Sequence, residues 1–174
     1  MTVLCPSDAP STRWAVEAAY RHHGPVYVRL GRAPVPQYHA EGTQFAIGKS
    51  VRLAEGRDVL IAACGMLVGP ALEAAAALSG EGISARVMDM VSIKPIDEEA
   101  LVEGAIGCGA VVTAEEHNII GGLGGAVCEV LSGRHPVPVR RVGVKDTFGE
   151  SGKPEQLMAK YGLTAADIVR AAKE

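Results

Sequence analysis

The chain has 174 residues, 48% of them hydrophobic and 21% charged, with a formal net charge of -3. That length fits one ordinary domain with some chain to spare. Acids and bases are mixed throughout, with no basic stripe interleaved with aromatics, which argues against a nucleic-acid partner; no apolar run approaches the roughly 20 residues of a membrane span. The opening MTVLCPSDAP lacks the basic-then-apolar layout of a secretory signal, so the expected location is cytoplasmic. Cys5, Cys64, Cys108 and Cys128 show neither CxxC nor metal-ligand spacing, and read as reduced core thiols. Two Phe, one Trp and four Tyr leave the core to Ala, Val, Ile and Leu, a composition suited to buried parallel strands.

In chain order, Val3 to Cys5 is a short apolar run. Ser7 or Asp8 can cap the helix that follows, with Pro10 tolerated in its first turn. Ala15, Val16, Ala19 and Tyr20 recur at helical spacing, Gly24 marks the stop, and Val26 to Leu30 reads as a strand. Residues 1 to 32 thus form a βαβ unit that cannot cover both faces of its own strands. Residues 33 to 44, APVPQYHAEGTQ, are a linker by composition, and Phe45 to Leu53 reads as an edge strand or hairpin arm.

The central run then alternates strand and helix. Val59 to Ala63 is a continuous apolar strand, closed by Cys64-Gly65. Leu67 to Leu78 is an Ala-rich, well-buried helix, and Ser84 to Met90 the next strand. Asp97 caps a helix from Glu98 to about Ala105, with acids at its positive end. Ala110 to Thr113 is the third strand. Gly121-Gly122-Leu123-Gly124-Gly125 opens a helix through Val130, and Pro136 to Val144 is a further strand. Pro154 to Tyr161 is a short helix, and Thr164 with Asp167 makes a box-like cap for the last one. Strands alternating with helices imply crossover units and a parallel sheet covered on both faces.

Ligands of open α/β sheets sit beyond the carboxyl ends of the strands, and three groups fall there. Cys64-Gly65-Met66 could bring backbone close to a phosphate, or simply make a turn; no GxGxxG accompanies it. Glu115-Glu116-His117-Asn118 has the makings of acid–base chemistry, and the helix start at Gly122 to Gly125 could hold an anion. The plainer reading is a polar loop at a domain or subunit contact. Arg29 and Arg32, flanking Gly31, suit a phosphate or carboxylate, or else face solvent. His22 and His23 complement a helix C-terminus, while His39 in the linker and His135 in a turn carry little.

Five stretches follow one another in a familiar order: Pro6-Ser7-Asp8; GPVYVRLGR from Gly24; DVLIAACGMLVGPALEAA from Asp58; VVTAEEHNIIGGLGGAV from Val111; and GVKDTFGESGKPEQLMAKYGLTAADIV from Gly143. Over essentially its whole length the chain resembles the C-terminal portion of a transketolase, closest to members split into two polypeptides. The EEHNIIGGLGGAV stretch is shared with 1-deoxyxylulose-5-phosphate synthases and the β subunits of 2-oxo acid dehydrogenases; the FGESGKPEQLMAKYGL ending favours transketolase.

The resemblance implies a three-layer αβα fold with a five-stranded, mainly parallel sheet and one antiparallel edge strand over residues 45 to 174. Residues 1 to 32 would be the last βαβ unit of a pyrimidine-binding domain, with 33 to 44 as linker. It implies thiamine diphosphate and Mg only in a complete enzyme of the pentose phosphate type. The pyrophosphate-binding section, with its GDG motif and metal, would be a separate partner, in a homodimer or heterotetramer. This chain shows no GDG motif, no metal cluster and no counterpart of the family's activating glutamate. It is therefore expected neither to bind cofactor nor to turn over alone, and to hold no catalytic residue. One role carries over: a substrate-phosphate arginine at Arg32, with Arg29 as the alternative. Glu116 and His117 move toward a subunit or domain contact. The readings that compete are a deoxyxylulose phosphate synthase fragment and a non-catalytic interaction module.

Overall fold

A computed structural model describes residues 1–174 throughout. The expected alternation of strand and helix is present. Strand β1 (Thr2–Leu4), helix α1 (Ala9–Arg21) and β2 (Val26–Val28) form the N-terminal unit. After a stretch without regular elements come β3 (Val51–Ala54), β4 (Val59–Ala63), α2 (Val68–Gly80), β5 (Ala85–Asp89), β6 (Ser92–Lys94) and α3 (Glu98–Cys108). The chain ends with β7 (Val111–Asn118), α4 (Leu123–Arg134), β8 (Val139–Val144), α5 (Pro154–Lys160) and α6 (Ala165–Lys173). No helix is long and apolar enough to cross a membrane.

The main sheet runs β3-β5-β4-β7-β8. β5, β4, β7 and β8 are parallel, while β3 pairs antiparallel with β5 at one edge. Central β4 explains why its sequence is apolar without alternation: all five residues are buried. Val59, Ile61 and Ala63 pack with Leu67, Ala71, Leu78 and Ile168 on the face covered by α2 and α6. Leu60 and Ala62 pack with Leu101, Ala105, Val127 and Leu131 on the face covered by α3 and α4. A strand buried on both faces needs apolar residues at every position.

The caps that local spacing foretold are made. The Asp8 side chain accepts from the Ser11 N–H and Thr164 from that of Asp167, each in a reciprocal box. Asp97 accepts from the Ala100 N–H.

Three details depart from the sequence reading. The expected strand over 45–53 is present only as β3, Val51–Ala54, and Phe45 instead stacks on Trp14 and meets the His39 ring edge-on. β7 does not stop at Thr113 but continues through Asn118, across an irregularity in its pairing with β8 between Ala114 and Asn118. The N-terminal unit has a third strand that its own sequence does not contain. Its sheet runs β2-β1-β6, with β6 antiparallel to β1 and Val3 facing Lys94. Three residues between a strand and a capped helix are too short a run to show a period, and they become a strand only because β1 offers an open edge.

Candidate functional site

The carboxyl ends of β1, β2, β4 and β7 converge where the N-terminal unit meets the main sheet. The Cys5 N–H donates to the Val91 carbonyl at 2.8 Å, and the Arg29 N–H donates to the Leu4 carbonyl at 2.8 Å. Between these strand ends lies a cavity of about 220 Å³ whose walls include Cys5, Arg29, Cys64, Glu115, His117 and Gly122.

Glu115 determines what this end of the sheet can hold. Its side chain is buried, with one oxygen accepting from the Leu123 N–H at 2.7 Å and the other from the Gly124 N–H at 2.8 Å. These are orphan donors of the first turn of α4, where the helix dipole favours a negative charge. Gly122 is required for this approach, since a Cβ there would lie 2.0 Å from a Glu115 oxygen. The helix start that sequence offered to an external anion is filled by the chain's own carboxylate. Pattern did not reveal this because Glu115 belongs to a strand eight residues upstream.

Glu116 and His117 lie in β7 rather than in a loop, and both are exposed. His117 donates from Nδ1 to the Asn118 carbonyl at 2.9 Å, and the Glu116 carbonyl accepts from the Arg29 guanidinium at 2.9 Å. Burial works against the Arg29 charge, but Cys5, Cys64, Glu115 and Glu116 around it raise its pKa above the ordinary value. Arg29 is therefore tied across the junction. Arg32, three residues on, is exposed and has no ion pair or hydrogen bond within the chain. Cys64-Gly65-Met66 is a packing surface: a Cβ on Gly65 would meet the Cys5 sulfur at 2.9 Å, and one on Gly31 would meet the Met66 side chain at 2.7 Å.

A second polar cluster was missed in the sequence. His39 and the side chains of Asp8 and Asp89 are shut off from solvent at the junction. One Asp8 oxygen accepts from the N–H groups of Tyr38 and His39, each at 2.9 Å, and lies 3.0 Å from His39 Nδ1. On the other side of the ring, Nε2 lies 3.5 Å from Asp89 Oδ2 without a hydrogen bond, and that oxygen accepts from the Ser7 hydroxyl at 2.5 Å. Burial opposes the Asp8 charge, but the Ser11 hydroxyl and the N–H groups of His39, Ser11 and Tyr38 outweigh it and lower its pKa to about 2. Asp89 has no such set of donors, and burial pushes it up to about 8. His39, which read as an idle linker residue, joins the N-terminal unit, the linker and β5.

Residues 48–168 match the family described as transketolase, C-terminal domain. The chain belongs to the transketolase family. It is 49% identical, over its whole length, to the 6-deoxy-6-sulfo-D-fructose transketolase subunit SqwH of Clostridium sp. strain MSTE9, of which it covers 54%. It is 40% identical to 1-deoxy-D-xylulose-5-phosphate synthase 1 of Geobacter sulfurreducens, covering 98% of this chain and 28% of that one. Among solved structures, a split-gene transketolase described as an inactive beta4 tetramer superposes with a TM-score of 0.96 at 55% identity, covering 99% of this chain and 57% of that one. The chain thus spans about half the length of its transketolase-subunit relatives. The three-layer arrangement is that of the transketolase C-terminal domain.

Members of this family are thiamine-diphosphate enzymes. The residues present here fit that cofactor poorly. The glycine-rich start of α4, the natural seat for a pyrophosphate, is occupied by Glu115, and no three acid, His or Cys side chains gather as a metal-binding set.

Proposed function

We propose that the chain is the C-terminal section of a two-chain, thiamine-diphosphate-dependent transketolase that moves a two-carbon ketol unit from a ketose phosphate to an aldose phosphate. The observation that carries this reading is the match of this whole chain to about half of a transketolase subunit, paralleled by the split-gene structure. An N-terminal section supplies the pyrophosphate and metal sites, and the chain alone is inactive. Residues 1 to 32 complete the pyrimidine-binding domain, and residues 45 to 174 form the C-terminal domain. The cofactor carries the bond-making chemistry, and protein groups orient and neutralise the sugar.

Within this chain the substrate's terminal oxyanion falls to Arg32. Its guanidinium is exposed and unengaged, whereas that of Arg29 already bonds the Glu116 carbonyl. A planar fork of donors suits a tetrahedral oxyanion. The Clostridium relative's name carries a sulfonated sugar, and a sulfonate offers a guanidinium the same kind of acceptor as a phosphate.

The test is reconstitution with a complete partner that supplies both the pyrophosphate-binding domain and the rest of the pyrimidine-binding domain, assayed with phosphorylated and sulfonated ketoses and, separately, with pyruvate plus glyceraldehyde phosphate. Ketol transfer by the pair and none by either chain alone is the expected result. Condensation of pyruvate would favour the synthase reading, which the Geobacter relative supports. Arg32→Ala is expected to raise the KM for the charged sugar about 10- to 100-fold, the loss of one charged hydrogen bond, with cofactor affinity unchanged. An unchanged KM would move the role to Arg29.

A further inference from the structure

Cys5 and Cys64 are distant in sequence and adjacent in space. The Cys5 N–H donates to the Val91 carbonyl, and the Met90 N–H donates to the Ala63 carbonyl at 2.7 Å. The two-residue segment Met90–Val91 therefore holds Cys5 from one side and the end of β4 from the other. The Cys5 sulfur lies 2.9 Å from the point where a side chain on Gly65 would start. Both cysteines are almost fully buried from bulk solvent, at 2% and 1% exposure, yet both line the 220 Å³ cavity. Arg29 lines it too, with Nη2 4.0 Å from the Cβ position of Gly65.

We propose that Cys5 and Cys64 are a redox-active thiol pair that closes reversibly into a disulfide, pinning the N-terminal unit to the main sheet. The cavity gives a small hydroperoxide access that a protein thiol would not have. The neighbouring guanidinium favours thiolate, the nucleophilic form. Each thiol shifts the other: the Cys64 thiol lowers the pKa of Cys5, while the Cys5 thiol and burial raise that of Cys64. This marks Cys5 as the attacking sulfur. Its thiolate attacks one oxygen of hydrogen peroxide, the O–O bond breaks, and protonation of the leaving hydroxide gives water and a sulfenic acid. Cys64 then attacks the sulfenic sulfur; the S–O bond breaks, the S–S bond forms, and the departing oxygen takes the Cys64 proton as a second water. In sum, two thiols are oxidised to one disulfide while one hydroperoxide is reduced. A dithiol reverses the step by exchange.

The experiment is hydrogen peroxide titration of the purified chain, with free thiols counted after denaturation and cross-links mapped by mass spectrometry of non-reduced peptides. The expected result is a fall from four free thiols to two, a linked peptide pair containing Cys5 and Cys64, and recovery of all four with dithiothreitol. The thermal midpoint should rise on oxidation by on the order of 10 °C, as for closure of a loop of this length. Cys64→Ser should leave a Cys5 sulfenic acid that dimedone traps, while Cys5→Ser should leave Cys64 unmodified at the same peroxide dose. Oxidation that consumes Cys128 or Cys108 with Cys5 and Cys64 still free, or that carries the pair to sulfinic acid without a cross-link, would overturn the proposal. The wild-type peptide map decides this even if a serine variant fails to fold.

Discussion

Replacing Asp89 by Asn should remove a pH dependence that the wild-type chain carries. Asp89 is fully buried, and its pKa is about 8 in the fold against an ordinary 3.8. Between those values the folded chain keeps a proton that the unfolded chain releases. The stability this group contributes is therefore complete below about pH 4 and is lost as pH rises toward 8. At about 1.4 kcal/mol per pH unit, the ceiling over the interval is about 6 kcal/mol, and local relaxation will reduce it. Asp8 works in the opposite sense. Its pKa is lowered to about 2, so its contribution is present above about pH 4 and fades only as pH falls through 2, outside the window of interest. Asn has the shape of the protonated acid, stays neutral at every pH, and still offers a carbonyl to the Ser7 hydroxyl. The assay is urea unfolding of both proteins at pH 5, 6.5 and 8, with the difference between them as the readout, because every other titrating group is common to both. The variant should lie near wild type at pH 5 and become the more stable protein by about 2 kcal/mol or more at pH 8. A constant difference across the three pH values, or a wild type that gains on the variant as pH rises, would refute the reasoning.

Two further substitutions test the packing. Glu115→Gln replaces one acceptor with a donor facing the first turn of α4, so one of the Leu123 and Gly124 N–H groups loses its partner; a loss of about 1–3 kcal/mol in urea unfolding and faster hydrogen exchange at those two amides are expected. An unchanged exchange rate at both would show that water serves as well as the carboxylate. Gly56→Ala would set a Cβ 2.1 Å from the Ala85 carbonyl carbon and 2.2 Å from the Arg86 nitrogen, backbone that cannot step aside, and should cost more than about 2 kcal/mol. Gly80→Ala at the end of α2, where a Cβ would meet nothing within 4 Å, is the contrast, expected to be neutral or to stabilise by up to about 1 kcal/mol.

What sequence disclosed and what it hid divide along physical lines. The core strand Val59–Ala63, the Ala-rich α2 and the caps at Asp8, Asp97 and Thr164 rest on local rules, whether burial on two faces or a side chain reaching its own helix's N–H groups. All of these were legible. Glu115, His39 and the Cys5–Cys64 contact each depend on a partner far along the chain. Glu115 in isolation is a charge after an apolar strand, and nothing within a few residues says that it will neutralise the start of α4. His39 sits in a stretch whose prolines and glycine announce a linker, and its burial follows from Phe45 closing over it. The cysteines lack the regular spacing that marks a pair on one hairpin or loop, because the sheet brings them together instead. The resemblance in GPVYVRLGR pointed to Arg32 first and Arg29 as the alternative, and the structure engages only Arg29 within the chain.

The short strand β6 also orders events in time. β1 is followed within thirty residues by β2, its neighbour on one side. Its other neighbour, Ser92–Lys94, leaves the ribosome only after β3, β4, α2 and β5 have been made. For that interval one edge of β1 stays unpaired, and an open strand edge invites association with whatever strand is near. The closing contact of the N-terminal sheet is therefore a late, long-range step whose rate is set by the main sheet, and a mutation that slows β4 or β5 should show itself first as aggregation seeded at the opposite end of the molecule.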